Sequence, residues 1–225
     1  MALMSGIDGP ESPAVRKRRV VRILRQLDRD YPQAECALRH SSAWELLAAT
    51  ILSAQCTDQR VNQVTPDLFA AYPSVEALAG ARVEHLEELV RTTGFFRNKA
   101  KSLKGCAQRI VDHYGGQVPS RMEQLLTLPG VARKTANVVT GTWFGKATGV
   151  VVDTHVQRIS QRLGLTAEKD PKKIERDLMK LLPRTRWVPY SHQIIHHGRR
   201  VCKARRPQCD ACGLAELCPS ASQER

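Results

Sequence analysis

No run of apolar residues in this 225-residue chain approaches the ~18 needed to cross a bilayer. The opening MALMSGIDGPESP also lacks the apolar stretch of a secretory signal, so a cytoplasmic protein is expected. Acidic residues are scarce: 22 Asp and Glu face 35 Lys and Arg, for a net charge of +13. Such an imbalance disfavours basic partners and favours polyanions, nucleic acid first, through steering and counterion release. Nor do the cysteines make complete pairs. Seven is an odd number, which argues against a disulfide framework. Strand patterns are nearly missing, with only Val150-Val151-Val152 resembling one, and there is no internal repeat or low-complexity segment.

What remains is helical periodicity punctuated by glycine and proline, in a chain that is 42% hydrophobic and long enough to bury a substantial core. The fold class is therefore all-α. Val20, Ile23, Leu24 and Leu27 line one face of a first helix whose other face is basic, beginning at Arg16-Lys17-Arg18-Arg19. Further helices are predicted over 44–52, from a polar break at 53–58 to about 72, and over 75–78, 83–92 and 98–114. Gly94 and Gly115-Gly116 end the last two as glycine stops. Ser120 and Glu123 have the spacing of a capping box for a short helix. Leu128-Pro129-Gly130 then turns into a helix that runs to about Phe144, which makes a helix–hairpin–helix. Asp153 could cap the next helix, and Asp170-Pro171 opens another with an N-cap and a first-turn proline. A final helix carries Ile194, Ile195 and Val201 toward a cysteine cluster.

Two features carry chemistry by themselves. A tight glycine turn leading into a helix presents free backbone N–H groups and the positive end of the helix dipole, which suits a phosphate. Cys202, Cys209, Cys212 and Cys218 follow the pattern C-x6-C-x2-C-x5-C, four potential thiolate ligands in a short segment. From spacing alone both zinc and a cubane cluster remain open, although zinc sites commonly use two short pairs and here there is one. Cys36, Cys56 and Cys106 sit in apolar helical patterns and are expected to be small buried hydrophobes.

The run Leu128-Pro129-Gly130-Val131-Ala132-Arg133-Lys134-Thr135-Ala136-Asn137-Val138-Val139, with Val152-Asp153-Thr154-His155, closely resembles the endonuclease III family of DNA glycosylases. The resemblance extends to Leu52-Ser53-Ala54-Gln55 and to the cysteine spacing. It implies a bifunctional DNA glycosylase and abasic-site lyase that acts, as a monomer, on oxidised pyrimidines in double-stranded DNA, and a [4Fe-4S] cluster on the four cysteines. It implies Lys134 as the nucleophile on the sugar and Asp153 as its electrostatic and proton-handling partner. Since base chemistry cannot occur inside a stacked duplex, the nucleotide must be extruded and the gap filled. Gln55 and Phe95 are the candidates for filling it. Leu128, Gly130, Ala132 and Arg133 would meet DNA at the hairpin, His155 near the pocket, and Lys203, Arg205 and Arg206 through phosphate. The implied architecture is two helical lobes with a DNA-binding cleft between them: a six-helix domain over 36–147 and a discontinuous domain of 1–35 plus 148–225 that holds the cluster.

Two departures stand out. Relatives usually have Gly-Val-Gly where this chain has Gly130-Val131-Ala132, and alanine is costly if that position needs positive φ. Phe95-Phe96 replaces an aliphatic–tyrosine pair, which bears on how the gap is filled. Two rival readings are a monofunctional glycosylase of the same fold, whose members generally lack lysine at the position of Lys134, and a non-catalytic iron–sulfur DNA-binding protein.

Overall fold

The first helix shows how sequence becomes position. In the computed structural model, which describes residues 11–222, α1 (Pro13–Asp30) starts at Ser12, whose hydroxyl accepts from the amide of Val15. Its stripe of Val20, Ile23, Leu24 and Leu27 is buried as the periodicity predicts, each such side chain contributing roughly 1.5–3 kcal/mol. The remaining helices are α2 (Ala43–Leu52), α3 (Asp58–Ala71), α4 (Val75–Ala79), α5 (Val83–Val90), α6 (Phe96–Tyr114), α7 (Met122–Leu125), α8 (Arg133–Thr142), α9 (Thr154–Arg162), α10 (Pro171–Leu181) and α11 (Trp187–Arg200). The described residues contain no strand. Val150, Val151 and Val152 are buried in an extended connection without a ladder.

Two apolar clusters form. One gathers α2 to α8, from Leu38 to Val139. The other brings α1 together with α9 to α11 and the C-terminal turns, through Val156, Ile159, Ile174, Tyr190, Ile194 and Leu214. The chain passes from the first cluster to the second through 143–153, so α8 and the start of α9 lie where the two clusters face each other.

Some local expectations change. Ser120 caps nothing: Arg121 occupies the N-cap of α7 without a side-chain bond, and the Ser120 hydroxyl accepts from Lys146 Nζ at 2.7 Å. That interaction over 26 residues replaces the local capping box. Cys106 is fully buried, whereas Cys36 and Cys56 are only half-buried at the margin of the first cluster.

Candidate active site and metal-binding segment

The hairpin is built on one strained residue. Gly130 has φ +76, and a Cβ there would lie 2.7 Å from Ser102 Cβ, so glycine is required for both torsion and space. Ala132 has φ −93 and an extended backbone. The second glycine of the usual pattern is therefore not needed for torsion, and alanine causes no left-handed strain. Leu128 is buried and anchors the turn, with Val131 N bonded to Leu128 O at 3.1 Å. No side chain caps α8, so its first-turn amides are left to solvent or to an anion.

Lys134 sits in that uncapped first turn, exposed, with no hydrogen-bond or ion-pair partner among the described residues. It lines two adjoining cavities of about 620 and 1140 Å³ together with Asp153, Ser53, Asp58 and Arg199. Asp153 caps α9 as expected, one carboxylate oxygen accepting from Val156 N at 2.8 Å. Its other oxygen makes no hydrogen bond with the described residues. Two residues further on, His155 also lines the cleft. Arg158 donates to its Nδ1 at 3.2 Å, and burial holds its pKa below the ordinary histidine value, so a neutral ring with the proton on Nε2 faces the site near pH 7. Asp58, at the start of α3, forms an ion pair with Arg199 of α11. This pair lines both cavities and links a helix of the first cluster to one of the second, and sequence reasoning missed it.

Gln55, Phe95 and Arg206 are the non-glycine residues with positive φ among the described residues. All three were DNA-contact candidates. Gln55 is exposed in the turn between α2 and α3, on the same cavity wall as Lys134. Phe95 is 65% exposed ahead of α6, while Phe96 packs on the first cluster. An exposed phenylalanine in a strained turn has no packing explanation. Arg206 lies in an exposed loop with Lys203 and Arg205. Arg162 fixes that loop by donating to Lys203 O at 2.8 Å and Ala204 O at 3.2 Å.

Arg133 is occupied elsewhere. Its Nε and Nη2 donate to the two oxygens of Glu175 in α10 at 2.7 and 3.1 Å. Glu175 is buried and also accepts from Asn137 Nδ2 at 2.8 Å, and Gly149 leaves it room, since a Cβ there would strike its carboxylate. The hairpin helix is thus tied to the second cluster by a charged network.

The four clustered cysteines line a largely apolar cavity of about 420 Å³, walled by Ile159, Leu163, Val201 and Leu214. Burial pushes the Cys212 thiol up to about 11, so thiolates in this dry setting require a cationic centre. Among the described residues no three His, Cys, Asp or Glu side chains converge as one ion needs. All four thiols line this one pocket, the donor set that a four-cysteine iron–sulfur cluster takes. His197 was also missed by sequence reasoning. Burial lowers its pKa to about 4; Tyr31 Oη lies 2.9 Å from Nδ1, and Nε2 lies 3.6 Å from Cys212 Sγ. A neutral ring accepting from Tyr31 would direct its N–H at that sulfur.

A hairpin helix presenting a lysine to a two-lobed cleft, beside a four-cysteine segment, defines a helix–hairpin–helix base-excision repair protein. Residues 48–184 match the HhH-GPD superfamily of base excision DNA repair proteins, and 202–218 match the iron–sulfur binding domain of endonuclease III. The endonuclease III of Synechocystis sp. is 58% identical over 208 residues, 92% of this chain and 95% of the relative. That of Bacillus subtilis is 44% identical over 84% of this chain and 86% of the relative. A solved non-covalent endonuclease III–DNA complex superposes with TM-score 0.87 at 40% identity, covering 92% of this chain and 97% of that one. A trapped endonuclease III–DNA covalent intermediate gives the same values. The chain belongs to the endonuclease III family. It carries a [4Fe-4S] cluster.

Proposed function

We propose that the chain excises oxidised pyrimidines from duplex DNA and cuts 3′ to the resulting abasic site, with Lys134 as the nucleophile. It is a bifunctional glycosylase and lyase of base excision repair, as family membership establishes. The assignment to residues rests on one observation: Lys134, unpaired and exposed, shares a cleft with the free carboxylate oxygen of Asp153. In this reading the Lys134 amine attacks C1′ of the extruded nucleotide, and the N-glycosidic bond breaks as the base leaves with a proton. Asp153 stabilises positive charge on the sugar and takes up the lysine proton. The sugar ring then opens, the C1′–O4′ bond breaking as O4′ takes a proton, and the resulting iminium acts as an electron sink: loss of a C2′ proton expels the 3′ phosphate by β-elimination.

The uncapped first-turn amides of α8, which follow the Gly130 turn, would hold a backbone phosphate, and Lys203, Arg205 and Arg206 would meet the flank. Gln55 and Phe95 would fill the gap. Cys202, Cys209, Cys212 and Cys218 would hold the cluster, which supplies a structural cross-link of the C-terminal segment. Arg133, bound to Glu175, supports the hairpin instead of reaching for phosphate. No described helix is long and apolar enough to cross a membrane, in keeping with work at chromosomal DNA in the cytoplasm.

The test is borohydride trapping on a duplex containing one thymine glycol, with an abasic duplex as control. Wild type should form a covalent adduct with both, and Lys134→Ala with neither while still binding DNA. Trapping that survives in Lys134→Ala would overturn the assignment, and base release by wild type without trapping would indicate the monofunctional chemistry.

A further inference from the structure

Lys99, one turn into α6, is only 5% exposed, and no carboxylate pairs with it among the described residues. An ammonium so placed is costly unless its donors are satisfied. Its Nζ donates to Thr93 O at 2.7 Å, and its backbone amide bonds to Phe95 O at 3.1 Å. The second bond is the ordinary first bond of α6, with Phe95 at its N-cap, whereas the first belongs to the lysine side chain and ties α6 to the residue just before Gly94. The turn it grips is unusual. Gly94 has φ 72 and ψ 153, a region open essentially to glycine alone. Phe95 follows at φ 47 and ψ 30, without a side-chain cap, and the Thr93 hydroxyl donates to Val90 O at 2.8 Å.

We propose that Lys99 is a positioning residue, a buried cationic strut that holds Phe95 exposed and pre-set for insertion into the gap left by an extruded base. This rests on the reading of Phe95 and Gln55 as gap-filling residues. A point charge on a long stem suits the task. It reaches a carbonyl across the turn while its stem stays buried. Preorganisation of this kind removes the ordering cost that a loose turn would meet at each encounter with DNA.

The experiment compares wild type, Lys99→Met, Gly94→Ala and Phe95→Ala in three readouts. The first is single-turnover excision of thymine glycol from a duplex. The second is fluorescence of a 2-aminopurine placed opposite the lesion, which reports gap filling. The third is cleavage at an abasic site in single-stranded DNA, where there is no gap to fill. Lys99→Met should slow duplex excision roughly tenfold to a hundredfold and blunt the fluorescence change, with single-strand cleavage unchanged. In a Phe95→Ala background it should add nothing. Gly94→Ala should show the same split; a Cβ there meets nothing within 4 Å, so only the torsion is disturbed, and it carries the test if Lys99→Met does not fold. Equal losses on both substrates, or undiminished duplex excision, would overturn the strut. Phe95→Ala without effect would instead overturn the gap-filling reading on which it rests.

Discussion

Asp153 carries two roles at one position, and they can be separated. Its carboxylate caps α9 through Val156 N, and asparagine caps nearly as well as aspartate. Asp153→Asn should therefore leave stability within about 0.5 kcal/mol of wild type by urea unfolding, since the cap survives. Excision and lyase rates should nevertheless fall by roughly 10²-fold or more, because the amide neither takes a proton nor stabilises cationic sugar as well. Asp153→Ala should lose the same activity and in addition about 1 kcal/mol of stability. Full activity in Asp153→Asn would reduce Asp153 to a cap. At this scale the sequence was legible where chemistry is encoded in neighbours along the chain: Lys134 in its hairpin run, Asp153 before its helix, four cysteines in one segment. It was illegible for Asp58 and Arg199, whose pairing spans 141 residues, and for Lys99, because periodicity that marks a buried face does not forecast a buried charge.

Among elements, α8 and α10 are coupled by Glu175. Its carboxylate takes two bonds from Arg133 and one from Asn137 while nearly excluded from water, so losing the charge leaves a half-buried guanidinium without its counterion. Glu175→Gln should cost about 2 kcal/mol, as expected for one partner of a charged hydrogen-bonded pair, read as a lower urea midpoint at unchanged slope. Since α8 carries Lys134, the rate of borohydride trapping at saturating enzyme should fall too. Loss of stability with an unchanged trapping rate would mean that α8 keeps its setting without α10. The helices themselves were largely readable. α2 and α6 follow from apolar period, with a glycine stop for α6, and have boundaries close to those observed, while for α1 the buried face and for α10 the cap and first-turn proline were legible. The short α7 shows the limit of local signals: Ser120 and Glu123 had the spacing of a capping box, yet Lys146 engages the serine. Glutamate is rarely fully buried, so Glu175 was read only as part of a helix.

For the whole molecule, the two apolar clusters are assembled from segments distant in sequence, and α1 joins the second one only through the return of the chain after α8. The order of helices shows nothing of that return; it came from the family resemblance. The second cluster also includes Cys202, Cys212 and Cys218 at its edge, so the metal-binding segment and the basic loop beside it depend on each other. That loop offers a test at the same scale. With net charge +13, affinity for duplex DNA should fall linearly in logarithm with salt, by a slope of about 0.9 per phosphate neutralised. Lys203, Arg205 and Arg206 are exposed and held outward by backbone bonds from Arg162. Replacing all three with glutamine should flatten the slope by roughly 2–3 if each meets a phosphate, and should do so equally for damaged and undamaged duplexes. Single-turnover excision at saturating enzyme should be unchanged, since none of the three lines the cavities shared by Lys134 and Asp153. A variant with the wild-type slope would move the duplex off this loop. A slower saturated rate would instead make the loop part of the catalytic geometry.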